Sequence, residues 1–244
     1  MSTAVLQALI FDVDGTLADT ESAHRAAFNQ AFVELGMDWH WDEPLYTGLL
    51  AVSGGKERIR HYWQQRCGEI RALDCQAMDD TIARIHELKT AAYEQAVQDG
   101  AVSLRPGVLR LIEAAYNEGL RLAIATTTSP VNISALLRRA IGPDWRQYFT
   151  VVEDASTASI KKPDPQVYRQ TLQRLQLPAQ ACVALEDSAN GLQAALAAGL
   201  ATIITPNAFT VQQTFKGALR VLPSLRDVTM AHLRAWHAEA LACA

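Results

Sequence analysis

Short continuous apolar runs recur along the chain: ALIF within ALIFDVD, then RLAIAT, FTVVE, CVALED and ATIIT, with a weaker RVL near the end. Runs that are apolar at successive positions, rather than alternate ones, are expected of parallel strands covered on both faces. Helical patterns with recognisable signals lie between them. PGVLRLIEAAYNEG starts at Pro106 and ends at Gly119, SPVNISALLRRAIG ends at Gly142, and SANGLQAALAAG runs from Ser188 to Gly199, with Pro or Ser marking starts and Gly marking stops. Strand and helix in repeated alternation predict right-handed βαβ units. The expected fold class is therefore α/β, a doubly wound, Rossmann-like parallel sheet.

One long interval breaks this rhythm. From about residue 18 to 100 no convincing strand is found. Phe28, Ala31, Phe32 and Leu35 recur at helical spacing before Gly36, as do Ile59, Tyr62, Trp63 and Cys67 in a second segment. A third run, from about Asp79 to Val97, carries Ile82, Ile85, Leu88, Ala92 and Tyr93. The pattern predicts an all-helical cap domain over 18–100, inserted into an α/β core domain made of 1–17 and 101–244. There is no internal repeat or low-complexity tract.

Composition narrows the class without changing it. The 244 residues are 49% hydrophobic and 20% charged, with a net charge of −4, an ordinary globular balance. The mild acidity argues against a nucleic-acid binder, whose footprint would be basic. No window approaches the ~20 apolar residues of a membrane span. MSTAVLQALIFDVDG lacks the basic start of a signal peptide, and its apolar run is interrupted at Gln7. Cys67, Cys75, Cys182 and Cys243 form no CxxC pair and read as reduced thiols of a cytoplasmic protein.

Charged and hydroxyl residues collect at the ends of the predicted strands. Asp12 and Asp14 close the first, Thr126 follows RLAIA, and Glu186 with Asp187 closes CVALED. Ligands of open parallel sheets bind beyond those ends, at the topological switch point. Asp12 and Asp14 are two apart, so strand alternation projects them to one side until Gly15 turns the chain. Converging carboxylates would raise one another's pKa unless a cation sat among them, and Mg²⁺ is the natural hard ion for such oxygens. Each feature has a bland reading. A lone DxD is often a turn, Lys161-Lys162 a solvated pair, Glu186-Asp187 a helix-dipole charge, and Thr126 a cap. Pro163 disfavours helical backbone at Lys162 and can hold its loop open. Four such features at strand ends, in consistent order, favour a site.

On these residues the chain resembles the haloacid dehalogenase-like hydrolase superfamily. The motifs are DVDGT (Asp12 to Thr16), Thr126, Lys162 in KKPDP, and LEDSANG with Glu186 and Asp187. Within it the chain is similar to the β-phosphoglucomutase-like group, and DTESAHR with SGGKERIR looks most like its CbbY-type sugar bisphosphate phosphatases of the Calvin cycle, acting on xylulose 1,5-bisphosphate. The resemblance implies that Asp12 is the nucleophile, forming an aspartyl phosphate, and that Asp14 is the general acid and then base. It implies Mg²⁺ held by Asp12, the backbone carbonyl of Asp14, and Asp187 with Glu186 nearby. Thr126, with Thr127 beside it, and Lys162 would bind phosphoryl oxygens.

The cap would read the rest of the substrate. With Ile59 and Trp63 as the buried stripe of SGGKERIRHYW, Lys56 lies near the same face, while Arg58 and Arg60 project about 100° to either side. Gly54 and Gly55 would expose backbone N–H groups at a helix start, an anion site for a second phosphate. The bland alternative is solvated helix charges. Arg58, Glu21, His24 and Tyr46 are further substrate-binding candidates, although His24 could equally be a packed core-edge histidine. Thr20 is the expected hinge. SGGKE is not a P-loop, because Leu50 stands where its first Gly should be and Glu57 where it needs Ser or Thr.

The expected function is Mg²⁺-dependent hydrolysis of a sugar bisphosphate by a monomer, with no membrane or nucleic-acid partner. A β-phosphoglucomutase would use the same Asp12 and Asp14, but carries a Lys where this chain has Ser129 and Pro130. A phosphonoacetaldehyde hydrolase would have Ala at Asp14, and a dehalogenase would not need Asp14 or the metal set. A non-catalytic scaffold would not need to keep Asp12, Asp14, Lys162 and Asp187.

Overall fold

A computed structural model describes residues 5–67 and 75–242. The chain divides into two compact units, Thr20–Val102 and the pair Met1–Asp19 with Ser103–Ala244. The first is helical: α1 (Glu21–Glu34), α2 (Glu43–Leu49), α3 (Gly55–Cys67) and α4 (Cys75–Gln98). α1 buries His24, Ala27, Phe28, Ala31 and Phe32 on one face, the i, i+3, i+4 stripe of an amphipathic helix. Around Phe28 and Phe32 an aromatic core gathers. Trp41 lies 4.6 Å from Phe28 and 5.0 Å from Phe32, and Trp39 lies 5.2 Å from Tyr62, centroid to centroid. Asn29 pins the turn that carries Trp41, donating to its carbonyl at 2.9 Å and accepting its N–H at 2.7 Å. The apolar pattern does not reveal α2. Its signal is local, because Asp42 caps the helix by accepting Leu45 N–H at 2.9 Å, and Pro44 sits in the first turn.

The second unit holds six parallel strands: β1 (Ala8–Phe11), β2 (Arg121–Ala125), β3 (Val151–Glu153), β4 (Cys182–Glu186), β5 (Ala201–Ile204) and β6 (Arg220–Val221). Their order is β3-β2-β1-β4-β5-β6. Successive strands run one way from β1 and the other way from β4, so the switch point lies between β1 and β4. All four β1 residues are fully buried, as a central strand covered on both faces must be. Helices α5 (Val108–Asn117), α6 (Pro130–Ala140), α7 (Gln166–Leu175), α8 (Ala189–Ala197) and α9 (Met230–Ala242) complete the unit. Val167 and Tyr168 of α7 and Ala194 and Ala195 of α8 pack with Ala8, Ile10, Ala123, Ala125 and Ala184. The small residues on that face let the helices approach closely.

Two local expectations change. α5 starts at Val108 rather than at Pro106, because Gly107 adopts φ +91° against the backbone of Leu225, a turn that must precede the helix. β1 ends at Phe11, and Asp14 lies in a turn in which Val13 O accepts Leu17 N–H at 2.9 Å. Strand alternation therefore does not orient Asp14. Among the described residues no helix is long and apolar enough to cross a membrane. Cys182 is a free, buried thiol, pushed up to about 12 by burial against the opposing pull of Arg121. The side chains of Cys67 and Cys75, and Cys243, lie outside the described residues.

Candidate active site

Asp12 is the first residue past β1, and its N–H still bonds Leu185 O of β4 at 3.0 Å. Asp187 follows β4 directly. The switch point thus carries one carboxylate from each flanking strand, and Glu186 ends β4 beside them. Oxygens of Asp12, Glu186 and Asp187 lie within 4.8 Å of one another, and all three residues are buried. Gly15 makes this approach possible. It sits at φ +82°, and a Cβ there would collide with Asp187 Oδ2 and Asn207 Nδ2.

Lys162 is the cation inside this cluster. Its Nζ donates to Asp12 Oδ1 at 2.7 Å, Glu186 Oε1 at 2.6 Å and Ala125 O at 2.9 Å. An ammonium has three N–H bonds, so all are engaged by protein acceptors. Binding a phosphoryl oxygen would require Lys162 to give one up, so its standing work here is charge compensation. That compensation is incomplete. Burial pushes Asp12 up to about 7, with Lys162 pulling it down and Glu186 adding to the rise. Burial disfavours the Lys162 ammonium, yet Asp12 and then Glu186 outweigh it and hold its pKa above the ordinary lysine value.

Thr126 is buried just past β2, with its N–H on Glu153 O at 3.0 Å and its hydroxyl accepting Thr128 N–H at 3.3 Å. Thr127 is half-buried beside it. The Thr128 hydroxyl donates to Asp14 Oδ2, a partner that sequence reasoning missed because the two are far apart in the chain. Tyr168 was missed as well. Its hydroxyl donates to Glu186 Oε1 at 2.6 Å, and burial and Glu186 hold its pKa well above the usual phenol value, keeping it a neutral donor. Asn207, also missed, donates to Asp187 Oδ2 at 2.8 Å. Gly191 in α8 leaves room for Glu186, since a Cβ there would meet both its carboxylate oxygens. No spacing rule links any of these partners to the motifs they serve.

In the helical unit three of the candidates meet. Tyr46 Oη donates to Glu21 Oε2 at 2.7 Å, and Arg58 Nη1 donates to Tyr46 Oη at 3.2 Å with the guanidinium 5.2 Å above the ring. Arg58 Nε also donates to Leu49 O at 3.3 Å. His24 is buried and stacks on Tyr93 at 4.0 Å, in keeping with the core-edge alternative. Lys56 is exposed on the first turn of α3, after Gly54 at φ +94°. Thr20 precedes α1 without a side-chain cap bond.

The buried cluster suits a divalent cation. Three buried carboxylates gather around a single ammonium that bonds two of them, and the donor atoms are hard oxygens, so a cation placed among them would meet ready ligands where burial already raises the pKa of Asp12.

Comparison with known proteins identifies the family and the fold. Residues 6–199 match the haloacid dehalogenase-like hydrolase family. The plasmid CbbY protein of Cupriavidus necator is 52% identical over 248 residues, covering 95% of this chain and 97% of its own. The crystal structure of CbbY from Rhodobacter sphaeroides in complex with phosphate has a TM-score of 0.86 at 43% identity, over 93% of this chain and 99% of that one. A variant of the same protein in complex with xylulose-(1,5)bisphosphate gives the same values. A β-phosphoglucomutase from Clostridium difficile shares the fold, with a TM-score of 0.78 at 18% identity over 97% of this chain and 99% of that one.

Proposed function

The chain belongs to the haloacid dehalogenase-like hydrolase family and is a phosphoric monoester hydrolase, and from that premise we propose that it is a Mg²⁺-dependent phosphatase of a sugar bisphosphate, xylulose 1,5-bisphosphate. The observation that carries this is the buried group of Asp12, Glu186 and Asp187 at the switch point, with Lys162 among them. The complex of a 43% identical CbbY with that bisphosphate supports the choice of substrate.

Lys162 holds Asp12 Oδ1, which leaves the second carboxylate oxygen to attack phosphorus. As the P–Oδ bond forms, the bond from phosphorus to the sugar oxygen breaks, and Asp14 gives that oxygen its proton. Asp14, now a carboxylate and held by the Thr128 hydroxyl, takes a proton from water as it attacks the aspartyl phosphate. Phosphate leaves, and Asp12 is regenerated. The Thr126 oxygen accepts Thr128 N–H, so its own proton can be donated to a phosphoryl oxygen. Asp12, Asp187 and the backbone carbonyl of Asp14, with Glu186 alongside, would hold Mg²⁺, which supplies the positive charge that lets an anionic carboxylate approach an anionic phosphoryl group. Recognition of the second phosphate we assign to Lys56, with the backbone N–H groups at Gly54 and Gly55 and with Arg58.

A phosphate-release screen over sugar mono- and bisphosphates, with and without Mg²⁺, tests the reading. One phosphate per xylulose 1,5-bisphosphate is expected, abolished by EDTA and by Asp12→Asn. Interconversion of sugar phosphates without net phosphate release would make the enzyme a mutase. Undiminished release by Asp12→Asn would remove the nucleophile from the scheme.

A further inference from the structure

Arg105 is only 8% exposed, yet it belongs to none of the strand-end motifs. Its guanidinium reaches four residues in two segments of the sheet unit. Nη1 donates to the backbone carbonyl of Gly15 and to Thr205 O at 2.6 Å, with the Thr205 hydroxyl at 3.2 Å. Nη2 donates to Pro206 O at 2.8 Å, and Nε lies 3.2 Å from Asp19 Oδ1. Its own backbone N–H bonds Leu17 O at 2.8 Å. Asp19 is its one carboxylate partner among the described residues, and that side chain is 65% exposed. The buried charge is therefore met mainly by neutral carbonyls, a costly arrangement that an apolar side chain would avoid.

What the arrangement secures is the geometry of two loops. Gly15 N–H bonds Ala18 O at 2.8 Å, which fixes the peptide carrying the Asp14 carbonyl. Arg105 fixes the next peptide through Gly15 O, so the φ +82° turn is clamped on both sides. The same guanidinium holds the carbonyls of Thr205 and Pro206, immediately before Asn207, and Asn207 donates to Asp187 Oδ2 at 2.8 Å. We propose that Arg105 is a positioning residue that sets the Asp14–Gly15 turn and the Asn207–Asp187 pair in register, and so the oxygen set that receives the divalent cation. Lysine cannot substitute, because three N–H bonds from one point do not reach acceptors that a planar five-donor fork spans.

Arg105→Lys and Arg105→Ala test this. Mn²⁺ affinity is read directly from the free-ion EPR signal in the absence of substrate, and kcat and KM are measured for phosphate release. Residues supporting a metal site typically account for about 10–100-fold in metal affinity or activity. Both variants should lose affinity and kcat in that range, with KM changed less than about threefold, and methylguanidinium should restore about tenfold to Arg105→Ala. A folded Arg105→Lys with wild-type Mn²⁺ affinity and kcat overturns the proposal. So does failure of Arg105→Lys to fold, which would make the residue a stability element alone. The kinetic arm rests on the phosphatase reading and the Mn²⁺ arm does not. An inactive wild type would therefore sink that reading and leave this one to the metal titration.

Discussion

The two units handle charge differently, although the helical unit also buries an ammonium, Lys89, against the rings of Phe28 and Tyr93. In the sheet unit Asp12, Lys162, Glu186 and Asp187 are buried together and are tied to backbone that the strands have already placed. In the helical unit an aromatic core supplies the packing, Glu21, Tyr46 and Arg58 form a side-chain chain, and Lys56 stands in solvent. The first arrangement leaves little freedom, because changing one member leaves another buried and uncompensated. The second can exchange its polar side chains while Phe28, Phe32 and Trp41 keep the helices together. On the proposed function this would keep the chemistry fixed in one unit and leave recognition adjustable in the other, and each substitution below tries that division.

The largest effect is expected from Lys162→Met. Breaking a buried ion pair by removing one partner typically costs about 3–5 kcal/mol, and the loss should be visible in denaturant unfolding of the metal-free protein at neutral pH. Its pH dependence has a definite sign. The pKa of Asp12 in the folded protein, about 7, lies above its ordinary 3.8. This group therefore contributes stability that is fully present below pH 3.8 and is lost as the pH rises through 7. Lys162 opposes that loss, so removing it raises the folded pKa further and deepens the deficit at neutral pH. The difference between variant and wild type should shrink as the pH is lowered to about 7 and below, where Asp12 is protonated in both folded proteins. A deficit that stays constant from pH 4 to 8 would show that Lys162 acts by packing. Phosphate release should fall on every substrate alike.

Gly15→Ala comes next. The new Cβ meets Asp187 Oδ2 and Asn207 Nδ2, and φ +82° is unfavourable for any L side chain. A misplacement of about 1 Å near reacting groups can cost about 100-fold, so kcat should fall on that order for mono- and bisphosphates together. Wild-type kcat in this variant would mean that the turn carrying Asp14 adjusts freely, against the rigidity claimed for the sheet unit.

How legible each unit was follows from the same contrast. Strand-end placement is a rule of parallel sheets, so Asp12, Thr126, Lys162, Glu186 and Asp187 could be read from short runs and their order, as could the doubly wound class. Thr128, Tyr168, Asn207 and Arg105 could not. Thr128 is 114 positions from Asp14, and Asn207 is 20 from Asp187, and such pairings are chosen only once the sheet order is known. α2 was missed for another reason: its apolar residues are too few to show a period, though the cap at Asp42 was present in the sequence. α9 was passed over because its buried positions Met230, Leu233 and His237 include a histidine, which hides the apolar stripe.

The smallest effect is expected at Lys56, and it discriminates best. Lys56 is exposed, so Lys56→Ala should leave stability within about 0.5 kcal/mol of wild type, as surface changes generally do. If it binds the non-reacting phosphate, its loss removes a contact made equally in the ground and transition states, which raises KM and spares kcat. One charge-assisted hydrogen bond is worth about 1.5–3 kcal/mol, so KM for xylulose 1,5-bisphosphate should rise about tenfold or more, while KM for a small monophosphate stays put. The ratio of the two specificity constants is therefore the quantity to measure. An equal fall for both substrates would place Lys56 with the reaction rather than with recognition, and the division of labour between the units would fail at the residue where it is easiest to see.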